Sequence, residues 1–230
     1  MREIVLDTET TGLEPQEGHR IVEIGAIELW NHLATGKTYH QYINPERGMP
    51  AAAFAVHGLG DDFLKDKPIF SEIADDFLEF VRNDTLVIHN AKFDVKFLNA
   101  ELERCNKPKI ISDRSIDTLQ IARRKFPGSP ASLDALCRRF AIDNAFRTLH
   151  GALLDSEILA EVYLELIGGR QPDFGLSQNT PINETLFSEK YLTTAEKRPR
   201  QLVASLTPSE LEAHKAFVKE MGEDAIWNRV

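Results

Sequence analysis

The feature that most constrains this chain is an apolar run, Ile4-Val5-Leu6, that ends abruptly in two acids, Asp7 and Glu9. A short uninterrupted apolar segment reads as a strand covered on both faces, which places it near the centre of a sheet. Side chains alternate along a strand, so Asp7 and Glu9 point to one face and Thr8 to the other. Two carboxylates side by side at the end of a buried strand repel each other unless a cation lies between them. A hard cation that takes oxygen ligands, such as magnesium, resolves that conflict. Taken alone, the pair reads equally well as two solvated turn acids before Thr10-Thr11-Gly12.

The surrounding pattern predicts an α/β domain. Residues 3–8, 20–30 and 37–44 read as strands, with turn signals at 31–36, so the chain opens as an antiparallel meander. The period then changes. Ile73, Phe77, Phe80 and Val81 recur at helical spacing over 71–82. Residues 85–89 form a short apolar strand, and Asn90 is placed to cap a helix whose Phe93, Phe97, Leu98 and Leu102 face inward. A strand end at 115–118 leads into a helix, and a Pro/Gly/Ser loop at 127–132 precedes a helix at 132–140. A long helix runs from about 151 to 167 and stops at Gly168-Gly169. Strands first and α/β units after them give a mixed, mainly three-layer domain over residues 1–169.

Residues 170–205 hold Pro172, Pro181 and Pro199 without a sustained period and read as a flexible linker. Beyond it, Thr207, Pro208 and Glu210 mark a helix start with a capping box, and Leu206 and Leu211 are placed as a staple across it. Leu211, His214, Phe217, Val218 and Met221 line one face of that helix. A lone apolar face beyond a linker has no core of its own, so segment 206–230 reads as a docking element, with packing back onto the main domain as the alternative.

Several function classes drop out on composition. No run approaches the roughly 18 apolar residues of a membrane span, and the acids in the first apolar run are unlike a signal peptide, so a cytoplasmic protein with no membrane partner is expected. The two cysteines, Cys105 and Cys137, match no zinc or redox spacing. A net charge of −9 disfavours a freestanding, tight nucleic-acid binder, which needs basic surface. It leaves room for a nuclease whose grip on DNA comes from a partner, because bound metal inverts the sign of an acidic pocket.

Three further residues join the acid pair. Asp155 extends the stripe Leu159, Val162, Leu166 at its N-terminal end, whereas Glu157, Glu161 and Glu165 make an ordinary solvated face. Asp155 therefore needs a partner, or serves as a helix-dipole acid. Asp94 lies in the first turn after Asn90, on the flank of Leu98 and Leu102. His150, five residues before Asp155, is suited to take a proton from water near neutral pH. His57 and His89 read as substrate contacts, and His32 and His40 as surface or strand residues. Four acids and a histidine suit phosphodiester displacement across two metal ions about 3.5–4 Å apart.

DTETTG at 7–12, HNAKFD at 89–94 and HGALLDSE at 150–157, in that order, resemble the three motifs of the DEDDh exonucleases. The resemblance covers about residues 1–170. It implies a ribonuclease-H-like fold with a five-stranded mixed sheet. It assigns the four metal-binding acids to Asp7, Glu9, Asp94 and Asp155, the general base to His150, and two Mg2+ or Mn2+ ions to each site. Thr10, Thr11, Gly12 and Asn90 would contact the terminal nucleotide of a single-stranded 3′ end, Leu13 and Phe93 would pack on its base, and His57 would lie near the sugar. Within that family the third motif and the helix after it are similar to the proofreading subunits of bacterial replicative polymerases. Those subunits bind the polymerase through a tail like 206–230, where Leu211, Phe217 and Trp227 are the candidate anchors. Gln171, Phe174 and Leu176 in segment 171–176 resemble a sliding-clamp-binding peptide. A small accessory subunit and a place in the replisome at the nucleoid are further implications. The rival readings are an RNA-trimming exonuclease, which needs no tether, and a non-catalytic scaffold between polymerase and clamp, which needs no intact acids.

Overall fold

A computed structural model describes residues 1–145, 149–169 and 207–222, which fall into two units, 1–176 and 177–230. In the first, β1 (Arg2–Thr10) pairs antiparallel with β2 (Ile21–Trp30), which pairs antiparallel with β3 (Leu33–Tyr42). On the other side of β1, β4 (Thr85–Ile88) and then β5 (Ser115–Asp117) run parallel to it. The order β3-β2-β1-β4-β5 is a five-stranded mixed sheet with β1 in the middle, as its apolar run requires. Alternation along β1 sorts the layers. Ile4 and Leu6 pack with α3 (Phe70–Val81) and α4 (Ala91–Arg104) on one face. Val5 packs with Leu159 and Tyr163 of α7 (Ala152–Ile167) on the other. Helices α5 (Thr118–Lys125) and α6 (Leu133–Phe140) lie against α7 through Ala122, Leu136 and Cys137. The result is the three-layer, ribonuclease-H-like arrangement expected from the sequence.

Two local expectations are corrected. The β2–β3 turn is not the six residues 31–36 but only Asn31 and His32, both at positive φ, with Trp30 paired to Leu33. Two residues of that handedness match the twist of the strands they join. Gly36, whose presence suggested a longer turn, takes φ 85° within β3, where the register to β2 shifts. Its freedom serves a bulge. Asn90 does occupy the cap position of α4, but its side chain makes no capping bond. It sits at φ 67°, a conformation Asn tolerates, and its backbone N–H donates to Asp117 Oδ1 at 3.1 Å. Two short helices were not foreseen, α1 (Ala51–His57) and α2 (Asp61–Leu64), because AAAFAVH has no helical alternation of polar and apolar residues. Gly58 ends α1 at φ 73°.

In the second unit, α8 (Pro208–Glu220) begins as its sequence indicates: the Thr207 backbone N–H donates to Glu210 Oε2 at 2.8 Å, and Glu210 N–H donates back to Thr207 Oγ1. Leu211, Phe217 and Met221 are exposed and Val218 is buried. The linker 170–205, Leu206 of the staple, the segment 171–176 with Gln171, Phe174 and Leu176, and Trp227 lie outside the described residues. No helix among the described residues is long and apolar enough to cross a membrane.

One contact in the first unit brings the long helix onto the sheet. Gly25 of β2 is the register partner of Asp7, and a Cβ built there would lie 2.1 Å from Leu153 N and 2.4 Å from Ala152 O. Ser156 Oγ donates to the Gly25 carbonyl at 2.9 Å. The absent side chain thus lets the first turn of α7 rest backbone on backbone beside Asp7. Gly25→Ala is expected to push that turn away, costing about 1–3 kcal/mol as overpacking does, and to cut hydrolysis because Asp155 moves with it. Urea unfolding and a single-strand hydrolysis assay check this; a variant unchanged in both would mean that α7 steps back without consequence.

Candidate active site

The C-terminal end of β1 opens into a cavity of about 680 Å3. Asp7, Thr8 and Glu9 form its floor, His89 and Asn90 enter from the end of β4, Phe93 and Asp94 from α4, and His150 and Asp155 from the start of α7. Strand β1 has an antiparallel neighbour on one side and a parallel one on the other. Helices α4 and α7, which cover opposite faces of the sheet, both begin at this end, so carboxylates from separate layers meet there.

Alternation places the acids as expected and adds a consequence that the sequence reading missed. Glu9 faces α7, where a Glu9 oxygen, an Asp155 oxygen and a His150 ring nitrogen all lie within 4.8 Å of one another. His150 Nδ1 stands 3.1 Å from Asp155 Oδ2. Thr8 faces α4, and its hydroxyl donates to Asp94 Oδ1 at 2.7 Å. This hydroxyl anchors Asp94, which is itself buried. Its signal was in the sequence: a Thr between two acids on a central strand must meet whatever packs on the opposite face. Asp7 and Asp94 line the same cavity without joining the tight group.

Burial governs the electrostatics. The Glu9 carboxyl is pushed up to about 8, chiefly by loss of water; His150 opposes the shift, and Asp155, Glu23 and Asp94 add to it. Burial likewise pushes Asp94 well above the ordinary carboxylate range, against the Thr8 hydrogen bond. A cation among these oxygens would relieve both. An oxygen-rich set of acids with one imidazole fits a hard divalent ion.

The remaining predicted residues flank the cavity. Asn90 and Phe93 line it, whereas Thr10, Thr11, Gly12, Leu13 and His57 are not among its described lining residues. The turn after β1 is tightly built: Thr10 Oγ1 donates to the Gly12 carbonyl, Thr11 N–H donates to the Arg20 carbonyl, and a Cβ at Gly12 would strike the His19 ring. Lys96 of α4 straps this turn through the Leu13 carbonyl and Glu14, leaving the Leu13 side chain 74% exposed. The same ammonium lies 5.8 Å from the Phe93 ring centroid. His57 ends α1, buried, with Nδ1 accepting from Leu59 N–H. Burial lowers its pKa, and its Nε2 faces the Thr10 carbonyl without the geometry of a full hydrogen bond. His150 N–H donates to the Val56 carbonyl, which ties the two histidine segments together. Lining residues not predicted from the sequence are Leu119, Arg123 and 129–134, contributed by α5, α6 and the loop between them.

A family model described as an exonuclease matches residues 4–163. A DNA polymerase III subunit epsilon of Rickettsia conorii is 51% identical over 96% of both chains. The chain belongs to the family of DNA polymerase III epsilon subunits. Among solved structures, exonuclease X in complex with 5′ overhanging duplex DNA is similar at 26% identity, with a TM-score of 0.57 over 72% of this chain and 90% of that one. The nuclease domain of 3′hExo, described as a DEDDh family member bound to rAMP, matches at 20% identity and a TM-score of 0.61 over 72% of this chain and 91% of that one, and shows the shared fold. Membership makes this chain a 3′→5′ exonuclease of the proofreading kind.

The raised Glu9 pKa yields a test without substrate. In the unfolded chain a glutamate titrates near ~4.3; in the folded, metal-free protein Glu9 titrates at about 8. Between those values the folded state holds the extra proton, so the contribution of Glu9 to stability declines as pH rises across this window and levels off above it. In chelator, the melting temperature of the wild type relative to Glu9→Gln is expected to fall from pH 5 to pH 8. Added divalent cation should stabilise the wild type most at the alkaline end, where the ligands are already deprotonated. A difference independent of pH would show that Glu9 is ionised throughout.

Proposed function

We propose that this chain removes mismatched 3′-terminal nucleotides from DNA as the proofreading subunit of a replicative polymerase. The observation that carries the reading is the convergence of Glu9, Asp155 and His150 within 4.8 Å, in the cavity that Asp7 and Asp94 also line. In this reading Asp7, Glu9, Asp94 and Asp155 would hold two divalent cations, magnesium or manganese, which would supply Lewis acidity to the phosphodiester displacement. His150 is the general base. With Nδ1 directed at Asp155, Nε2 is the ring atom that takes the proton from water. The water oxygen bonds to phosphorus, the bond from phosphorus to the 3′ oxygen breaks, and that oxygen leaves as a hydroxyl after taking a proton from solvent. The products are a nucleoside 5′-monophosphate and a strand one nucleotide shorter.

Thr10, Thr11, Gly12 and Asn90 contact the terminal nucleotide in this proposal. Leu13 and Phe93, held close by Lys96, clamp its base, and stacking of that kind accepts any base. His57 Nε2, a buried polar atom without a full partner, is assigned to the sugar. A mismatched end frays more readily and enters as a single strand. The RNA-trimming alternative has less support, since the relative that is 51% identical over 96% of both chains is a DNA polymerase III subunit.

The test is hydrolysis of a mismatched primer. Activity is expected to vanish in excess chelator and return with magnesium or manganese. His150→Ala should lose at least ~100-fold, with the wild type declining as pH falls through ~6.5. Full activity in chelator, or wild-type turnover by His150→Ala, would overturn the mechanism.

We further infer the division of the chain: a nuclease domain at 1–169, a linker at 170–205 with a clamp-binding peptide at Gln171, Phe174 and Leu176, and a polymerase-docking segment at 206–230. Support comes from relatives named as polymerase III subunits and from the exposed Leu211 and Phe217 of α8. Trp227 adds an aromatic anchor. A small accessory subunit and a cytoplasmic place in the replisome at the nucleoid complete this proposal. Tethering also accounts for the charge of −9, because the polymerase supplies the grip on DNA. Deleting 206–230 is expected to abolish co-elution with the polymerase while free single strands are still hydrolysed. Phe174→Ala with Leu176→Ala should weaken clamp binding in a titration. Co-elution of the truncated chain, or unchanged clamp affinity, would remove the corresponding assignment.

A further inference from the structure

The cavity is larger than the carboxylate centre. One side carries Asp7, Glu9, Asp94, Asp155 and His150; the other is a wall built by Leu119 and Arg123 of α5, the loop 129–132 and the first residues of α6. Arg123 is the one Lys or Arg among the described lining residues. It stands in an acid-lined cavity yet forms no ion pair with any described residue. Arg2, by contrast, is held by Glu28 and Asp84, and Arg20 by Glu101 and Glu46. The field of Arg123 reaches the neighbouring lining residue His89, whose pKa is lowered chiefly by burial; Asp117 and the Ala131 backbone oppose the shift, and this guanidinium adds a smaller lowering. His89 Nδ1 stands 2.9 Å from Thr118 Oγ1. This wall therefore carries the permanent positive charge of Arg123 beside the His89 imidazole, with the Asp134 carboxylate at the start of α6.

A guanidinium offers five N–H donors in a plane that matches two oxygens of a phosphate. The 3′-terminal nucleotide of a strand carries one phosphate, and in the proposed reaction it is the scissile one at the carboxylates. A second phosphate in the cavity must then belong to the strand on the 5′ side of the scissile bond. We propose that Arg123 is a phosphate subsite for the nucleotide immediately 5′ of the bond that is cut, so that the strand enters across the α5–α6 wall. The charge of Arg123 orients the incoming single strand and leaves the chemistry to the opposite side of the cavity. This inference rests on the nuclease reading of the cavity.

The experiment compares two substrates in the full-length protein with magnesium. One is a thymidine oligonucleotide; the other is the p-nitrophenyl ester of thymidine 5′-monophosphate, which has the scissile phosphate and nothing 5′ of it. The readout is the ratio of KM for the oligonucleotide to KM for the ester. Arg123→Ala is expected to raise that ratio at least about tenfold, the loss typical of one charged hydrogen-bonded contact. Arg123→Lys should restore part of it, because a point charge replaces the planar fork. The slope of log KM for the oligonucleotide against log salt should fall by about 0.7, the value for one phosphate contact on a single strand. An unchanged ratio in Arg123→Ala, including the case in which both substrates suffer equally, overturns the subsite. Wild-type protein that cleaves neither substrate overturns the nuclease reading itself, and the subsite with it.

Discussion

The contact on which the rest of the structure depends is the approach of α7 to β2 at Gly25. A helix normally stands off a sheet by the length of the side chains between them. Here the first turn of α7 meets the strand where no side chain intervenes, and the Ser156 hydroxyl closes the gap to the Gly25 carbonyl. Since Gly25 lies across the ladder from Asp7, the helix that carries Asp155 starts beside the strand that carries the acid pair. His150 precedes that turn and is held through its N–H by the end of α1. One missing Cβ thus lets the helix that carries Asp155 start beside Asp7.

That closeness has an electrostatic cost, and the site stores it. Glu9 and Asp94 are buried within reach of other acids, and both resist ionisation. Polar groups oppose these shifts without reversing them: the Thr8 hydroxyl and backbone bonds favour the Asp94 carboxylate, and His150 counters the shift at Glu9. An apolar replacement would relieve this frustration, so its persistence at one end of a stable sheet marks a place built for a cation. Elsewhere the buried charges are compensated within the protein. Glu101 accepts a fork of two bonds from Arg20, and Glu23 meets His40 at 2.7 Å.

Much of the fold was legible because it rests on periodicity. Ile4-Val5-Leu6 announced a central strand, the 3.6-residue recurrence of Ile73, Phe77 and Val81 announced α3, and Thr207 with Glu210 announced the start of α8. Misreadings arose where local conformation follows from partners rather than from pattern. Asn90 looked like a side-chain cap, but Asp117, 27 residues away, draws its backbone into the left-handed region instead. Gly36 looked like a turn, but the pairing of β2 with β3 makes it part of a bulge.

By itself the sequence determined the strand and helix periods and the faces on which Asp7, Glu9, Asp94 and Asp155 lie, because alternation and helical spacing are local properties of the backbone, and it offered these four with His150 as the candidate site. Only the tertiary structure decided that Glu9, Asp155 and His150 form the tight group, that Asp94 hangs from Thr8, and that Arg123 and the 129–134 segment wall the same cavity. Those relations join residues 86 positions apart in the case of Thr8 and Asp94. They are set by how close two layers can approach, and at Gly25 that distance is governed by an atom the sequence leaves out.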